Sequence, residues 1–374
     1  MNHKQITVLI VGGGLAGLTS AIHMAKENIK VILIEKNTYP KHKVCGEYVS
    51  NEVLFYLESL GIYPYKYQAR KIEKFQFSSL SGNTLDITLP LGGFGISRFA
   101  LDALMMQRAL ELGVEVVQAT VTAIQFESNL FQVRTNKQQE YIVDYVLGAH
   151  GKRSNLDNTL SRKFIKKKSA WLGVKAHYKS DFPDDVVALH NFNGGYCGLS
   201  KVETGDVNAC YLADYASFKK YKNITQYQET VLYKNKALKT FFENSQMTFE
   251  APIAISQISF DKKEPVYNHI FMVGDSAGLI HPLCGNGMAM AIHSAKIIAS
   301  LLTAQKTSTY DRLELEQQYT LQWNRAFQKR LRVGRFIQNT LQNKKITRMG
   351  VSIVSTSPYL LKTIIKATHG TSLV

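Results

Sequence analysis

The stretch ITVLIVGGGLAGLTSAIHMAKENIKVILIEK, residues 6–36, decides the fold. Ile6 to Val11 is a short β-branched and aliphatic run, the pattern of a buried parallel strand. Gly12, Gly14 and Gly17 then spell G-x-G-x-x-G around Leu15 and Ala16. Gly12 allows the tight turn, Gly14 lets backbone approach a pyrophosphate, and Gly17 lets the following helix lie close to the sheet. The helix N-terminus offers free N–H groups and a positive dipole end to phosphates. Asn28 falls where the helix should stop, since Asn tolerates the left-handed conformation. Val31 to Ile34 reads as a second strand, ending in Glu35 and Lys36. A carboxylate at that strand end accepts hydrogen bonds from a ribose diol and repels a 2′-phosphate. Strand, glycine turn, helix and trailing acid together predict an ADP-containing dinucleotide with a free ribose, FAD or NAD.

Further along, GISRFALDALMMQRALELGVEVV begins at Gly95. Phe99, Leu101, Leu104, Met105, Ala109 and Leu112 fall mainly at helical spacing, Gly113 ends the helix, and Val114 to Val117 reads as the next parallel strand. Arg98 stands before that helix, where it is either a phosphate or adenine contact or a surface arginine. AIQFES, LFQVRT and EYIVDYVLGA suggest an antiparallel meander returning to the sheet, which ends at GAHGKRSNLD, residues 148–157.

A second turn, GDSAGLIHPLCGNGMAMAIHSAKIIA, covers residues 274–299. Ile270 to Val273 reads as a strand with Asp275 at its carboxyl end, a place that suits a polyol. Pro282 fixes the chain, CGNG brings bare backbone against a flat ring, and a helix follows from Met288. A helix N-terminus aimed at the N1/C2 carbonyl edge of a flavin would stabilise the anionic reduced ring. Residues 170–262 alternate apolar and polar with Gly-rich turns, which predicts an antiparallel sheet with one face solvated or lined by substrate. His177, Tyr178, His190, Tyr196 and Tyr211 are its pocket candidates. Trp323, Phe327, Leu331, Phe336 and Leu341 sit near helical spacing in a basic C-terminal part. The run from Met349 to Gly370 is apolar with a few lysines, and reads as a membrane contact or the cap of a greasy tunnel.

In order along the chain, VGGGLAGLTSA, EKNTYPKHKVCGEYVS, ISRFALDALMMQRALELGVEV, GAHGKRS and VGDSAGLIHPLCGNGMAMAI resemble the FAD-dependent monooxygenase and geranylgeranyl-reductase superfamily, whose fold is that of para-hydroxybenzoate hydroxylase. The resemblance implies an α/β chain: a Rossmann-type FAD-binding domain, an antiparallel β-sheet substrate domain and a helical C-terminus. The expected division is 1–170 for the first part of the FAD domain, with 55–95 joining the substrate domain, then 171–262 for the substrate domain, 263–310 for the second FAD part and 311–374 for the C-terminal helices. It places Gly12, Gly14, Gly17 and Glu35 on the AMP portion, Arg98 on FAD, Asp275 on the ribityl and pyrophosphate region, and Gly285 to Gly287 beside the isoalloxazine. Leu15, Ala16, Lys36, Lys43, Val121, Gly151, Gly274, Pro282, Asn286 and Met288 complete the expected cofactor set. KVCGEYVS resembles the segment beside the flavin in the reductase-like branch, so Cys45, Gly46 and Glu47 are candidates there, Cys45 and Glu47 for catalysis. Two positions depart from the pattern. His150 stands where the family often has Asp, and Gly278 where many aromatic hydroxylases have His. The Trp-x-Trp-x-Ile-Pro motif of flavin halogenases is absent, Trp171 and Trp323 being far apart.

The chain has 374 residues, 45% hydrophobic and 20% charged, with a formal charge of +16. That excess favours an anionic partner, but no basic helix interleaved with stacking aromatics points to nucleic acid. Cys45, Cys197, Cys210 and Cys284 form no CxxC pair, so no metal site is expected. The absence of a signal-peptide pattern and of a membrane-spanning window predicts a cytoplasmic enzyme, membrane-associated at most at its periphery. No second nucleotide motif is evident, so NAD(P)H would act as a transient reductant. The reading is an FAD-dependent oxidoreductase, an NAD(P)H-driven monooxygenase of an aromatic or lipophilic substrate. The alternative is an ene-reductase of an isoprenoid lipid, with a halogenase and a non-catalytic flavoprotein behind it.

Overall fold

The computed structural model describes residues 6–80, 84–166, 169–221, 223–256, 258–281, 285–305, 311–342 and 357–373, without the side chains of 337–342. Pro282, Cys284, the side chain of Leu341 and the apolar run 349–356 therefore lie outside what is described. The chain is α/β and is organised around two large sheets. The first has six strands in the order Val266–Tyr267, Ile270–Met272, Tyr145–Gly148, Thr7–Val11, Lys30–Glu35 and Glu115–Gln118. All its pairings are parallel except the edge strand Val266–Tyr267. Its inner strands are buried on both faces, as their β-branched runs require. Asn28 has φ 57°, so the first helix, Leu15–Lys26, stops in the left-handed conformation expected of that residue.

Helix Leu15–Lys26 packs against helix Gly287–Ala304 and helix Arg98–Glu111. Gly287–Ala304 is long and apolar enough to cross a membrane, which the sequence reading did not anticipate. Here it is a core helix, with Ile292, Ala295, Ile298 and Leu302 fully buried. The meander is a separate three-stranded sheet, Val121–Glu127, Leu130–Thr135 and Glu140–Val143.

The second sheet has nine strands. Tyr48–Ser50, Thr84–Gly95 and Arg70–Ser78 form one side, followed by Val186–Phe192, Gly195–Lys201, Val207–Asp214 and Trp171–Lys179. Gln246–Met247 and Ile253–Ser256 both pair with Trp171–Lys179. Pairing is antiparallel except between Arg70–Ser78 and Val186–Phe192.

Of the two alternatives for one face, solvated or lined by substrate, the strand Trp171–Lys179 excludes solvent, residues 171–178 being all buried, and Leu189, Tyr196 and Leu212 line a cavity. Leu172, Val174, Ala176 and Tyr178 pack with Tyr227, Leu238, Phe241 and Phe242. The latter come from helices Ile224–Val231 and Lys236–Glu243, which interrupt the antiparallel sheet expected over 170–262. Their signal was present in Asn223 and Asn235, each of which caps its helix by accepting from a first-turn N–H. Alternation sends Trp171, Leu189, Tyr196 and Leu212 to the opposite face, where they meet Leu279, Leu361 and Ile365. On the long helix Arg312–Gln342, Trp323, Phe327 and Leu331 are buried as their spacing predicts, but Phe336 is 73% exposed and off the packed stripe.

Burial also fixes the acid response. His190, His281 and His293 are pushed down to about 4, about 3 and about 4 by desolvation, Arg330 adding to the effect at His293. Above pH 6.5 these rings are neutral folded or unfolded. Between 6.5 and about 4 the unfolded chain binds protons that the folded chain refuses, so stability falls with pH by about 1.4 kcal/mol per unit for each ring. Melting curves should therefore shift downward from pH 6.5 to 5, and His293→Leu should shallow that slope.

Candidate functional site

A cavity of about 950 Å³ runs from the carboxyl edge of the parallel sheet to the inner face of the nine-stranded sheet. At the sheet edge the three motif glycines have three different surroundings. Gly12 has φ +106°, and a Cβ there would lie 2.5 Å from Ala149 O. A Cβ on Gly17 would collide with Gly12 O, so that glycine sets how closely helix and strand approach. A Cβ on Gly14 would meet nothing nearer than Arg98 Nη2 at 3.9 Å, and Gly14 lines the cavity. Protein packing explains Gly12 and Gly17. Gly14 is open on the cavity side only, which is where a ligand's phosphates would approach.

Glu35 is held at the wall by its neighbours. Its Oε2 accepts from Gly13 N at 2.7 Å and its Oε1 from Asn37 N at 2.8 Å. Tyr39 Oη donates to Gly13 O on the same turn. Arg98 grips Asp102 with Nε at 2.7 Å and Nη2 at 2.8 Å, and Lys43 Nζ reaches the same carboxylate at 2.7 Å. Burial would raise Asp102, but the Arg98 guanidinium and Lys43 ammonium outweigh it and hold the carboxyl below its usual range. Two cations thus share one anion at the cavity wall. Neither Gly14 nor Asn286 caps its helix with a side chain, so two helix N-termini come to the cavity uncapped.

The second turn is tied to GAHGKRS by buried cations. Arg162 is fully buried and donates to Asp157 Oδ1 at 3.1 Å and to Ser276 O at 2.9 Å. Lys263 Nζ donates to Lys152 O at 2.9 Å and Asp275 O at 2.8 Å, and its burial pushes it down to about 8. His150 lines the cavity and pairs through Nε2 with Asp157 at 3.0 Å. Gly278 has a packing reason: a Cβ there would lie 3.0 Å from Trp323 and 3.1 Å from Leu331, leaving no room for a histidine.

Of the expected cofactor set, Gly12, Gly14, Leu15, Ala16, Glu35, Lys36, Lys43, Cys45, Gly46, Arg98, Gly151, Asp275, Gly285, Asn286, Gly287 and Met288 line the cavity. Gly17 stands behind it, and Gly274 fills a packing role against Ala16, where a Cβ would lie 2.9 Å away. Val121 is a buried residue of the meander paired with Thr135 and is not among the cavity-lining residues. Pro282 is not described. Tyr196 and Tyr211 line the cavity, while His177, Tyr178 and His190 do not.

Glu47 lines it too, in a setting the sequence did not reveal. The carboxylate is fully buried and pairs with Lys175 Nζ, with His177 Nε2 at 2.7 Å and with Arg98 N at 2.7 Å. Burial would raise its pKa, yet Lys175 and His177 together hold it below the ordinary value. His42 completes a group whose ligand atoms with Glu47 and His177 lie within 4.8 Å of one another, with the Lys175 ammonium already compensating the carboxylate. Cys45 also lines the cavity, while burial pushes the neighbouring Cys210 thiol up to about 12.

The residues present fit FAD. Gly14 leaves the pyrophosphate position open, the surplus cation and helix end suit its charge, and Asn286, which lines the cavity, has a buried Oδ1 acceptor with no partner among the described residues. Residues 5–321 match the family described as FAD binding domain. A digeranylgeranylglycerophospholipid reductase of Methanothermobacter thermautotrophicus is 25% identical over 352 residues, 84% of this chain and 83% of that one. The structure is similar to a geranylgeranyl bacteriochlorophyll reductase-like protein of Thermoplasma acidophilum, with TM-score 0.76, 20% identity and coverage of 97% and 96%. It is similar also to the flavin-dependent brominase Bmp2, with TM-score 0.78, 18% identity and coverage of 96% and 92%. The structural likenesses show the shared fold, while the family match spans the glycine turn, the Glu35 strand end and the Asp275 turn alike, so the chain belongs to the FAD binding domain family of FAD-dependent oxidoreductases.

Proposed function

We propose that the protein is an NAD(P)H-driven FAD monooxygenase of an uncharged, lipophilic substrate carrying an electron-rich ring. The observation that carries this reading is the chamber wall beyond the cofactor groove. Phe75, Phe77, Leu89, Leu189, Ile255 and Ile258 supply it from the large sheet and its flanking loop, and Leu361, Ile364 and Ile365 from helix Pro358–Thr368. No acid, lysine or arginine from this sheet or helix lines the cavity among the described residues, and burial keeps His369, at its edge, below its ordinary pKa. Such a wall accepts apolar surface and rejects unpaired charge.

Bound FAD supplies the electron-transfer and oxygen-activating chemistry. The chain's residues bind, orient and exclude water. Gly12 to Ala16, Arg98 and Lys43 would hold the pyrophosphate, Glu35 the adenosine ribose and Asp275 the ribityl side. The N–H groups opening helix Gly287–Ala304 would stabilise negative charge on the ring edge. The chamber keeps a reactive centre dry.

Hydroxylation suits this wall better than double-bond saturation. Saturation must deliver a proton to carbon, and Glu47, the carboxylate beside the chamber, is held ionised by Lys175 and His177. Oxygen insertion into an electron-rich ring needs no acid from the wall. The ene-reductase reading has support of its own: Cys45 places a sulfur at the cavity, and the similar proteins include a digeranylgeranylglycerophospholipid reductase. Oxygen electrode and product analysis separate the two. With phenolic and isoprenoid lipids offered alongside NADPH or NADH, one O2 should be consumed per product and none should form without air. Anaerobic product, lost in Cys45→Ser, would overturn hydroxylation in favour of reduction.

A further inference from the structure

Helix Pro358–Thr368 lines the chamber with one face, and the tail that follows it is fastened to the turn that opens helix Gly287–Ala304. Asn286 Nδ2 donates to Thr368 O at 2.9 Å and to the Glu52 carboxylate at 3.3 Å. That carboxylate also accepts from Arg330 Nη1 at 3.1 Å and from Gly370 N, and Glu52 O accepts from Leu373 N at 2.7 Å. Glu52 is fully buried and Asn286 is 1% exposed. One carboxylate therefore joins the turn after strand Tyr48–Ser50, the turn at Asn286, the long helix and the C-terminal tail.

The joint has a consequence for Asn286. An Asn at a helix start ordinarily caps the helix by accepting from a first-turn N–H. Asn286 makes no such bond. Its amide nitrogen is spent on Glu52 and the tail, which leaves the helix N–H groups uncapped and Oδ1 buried without a partner among the described residues, on a residue that lines the cavity. Both features suit a ligand with donors and acceptors on one edge, as the flavin ring has.

We propose that Glu52 and the C-terminal tail are positioning groups for the cofactor: they turn Asn286 away from capping its own helix, so that Oδ1 and the free N–H groups are presented to the flavin. The tail's Gly370 touches the joint and not the cavity. A Cβ on Gly370 would strike the Arg330 guanidinium and lie 2.8 Å from Glu52 Oε2, so Gly370→Ala strains the joint from a position outside the cavity lining.

The test is FAD titration of the apoprotein by fluorescence, with the visible spectrum of the bound cofactor as second readout. Gly370→Ala and Asn286→Ala should each weaken FAD binding by about tenfold or more and shift the flavin bands in the same direction, as loss of a well-set hydrogen bond would. The double variant should be little worse than either single one, because both remove the same interaction. Wild-type affinity and spectrum in Gly370→Ala, or full additivity in the double variant, would overturn the proposal. If Gly370→Ala does not fold, a chain ending at Thr371 removes the Leu373 donor without the collision and is held to the same outcomes.

Discussion

Glu47→Gln should cost the fold about 3–5 kcal/mol, read as a lower denaturant midpoint at unchanged slope. The reason is what remains. Lys175 is fully buried and its ammonium faces the Glu47 carboxylate, so the amide leaves a charge in the interior without its counter-ion. Substituting both, Glu47→Leu with Lys175→Met, should recover much of the loss, since replacing a buried pair by apolar groups is often close to neutral. The pH dependence has a definite sign. Glu47 is held below its ordinary 4.5 in the folded chain, so its contribution is fully present above that value and lost as pH falls through the folded pKa. Glu47→Gln should therefore be most damaging near neutrality and converge on the wild type in acid. A variant as stable as wild type at pH 7 would show that Lys175 finds another partner.

That pair also marks the limit of sequence reading. Glu47 was recognisable because it sits in KVCGEYVS, a local segment next to a glycine. Lys175 and His177 lie about 130 positions away, at |i−j| of 128 and 130, on a strand that alternation alone could not orient. Periodicity says that Lys175 and His177 share a face, and only the packing of Leu172, Val174 and Ala176 under the outer helices says which one. The cofactor groove was legible for the opposite reason. Its determinants are backbone demands, written locally as glycines, a strand-end acid and helix starts. The chamber was not, because Phe75 and Leu89 come from one strand pair, Leu189 and Leu361 from two distant elements, and all look like ordinary core residues until the sheet closes. The Glu52 joint was hidden likewise, since Gly370, 318 positions away, and the still later Leu373 both close on it.

Gly14→Val should abolish cofactor binding and spare the fold. Gly14 has φ −81° and ψ −176°, extended backbone that valine adopts readily. Its Cβ would have 3.9 Å to the nearest atom outside its own chain neighbours, and the branches would enter the groove between the first helix and Arg98. That is the space the pyrophosphate needs, since phosphates reach the helix N–H groups only across bare backbone. FAD affinity should fall by about a hundredfold or more, while the apoprotein melts within about 1 kcal/mol of wild type, as surface substitutions usually do. Gly17→Ala supplies the contrast. Its methyl group would strike Gly12 O, so helix and strand must separate, and the apoprotein itself should be destabilised. If Gly14→Val bound FAD as wild type does, the groove would have to open elsewhere, and the assignment of the first turn to the pyrophosphate would fall. If it lost the fold along with the cofactor, Gly14 would serve packing as Gly17 does, and the distinction between a glycine kept for a ligand and one kept for a neighbouring strand would not hold here.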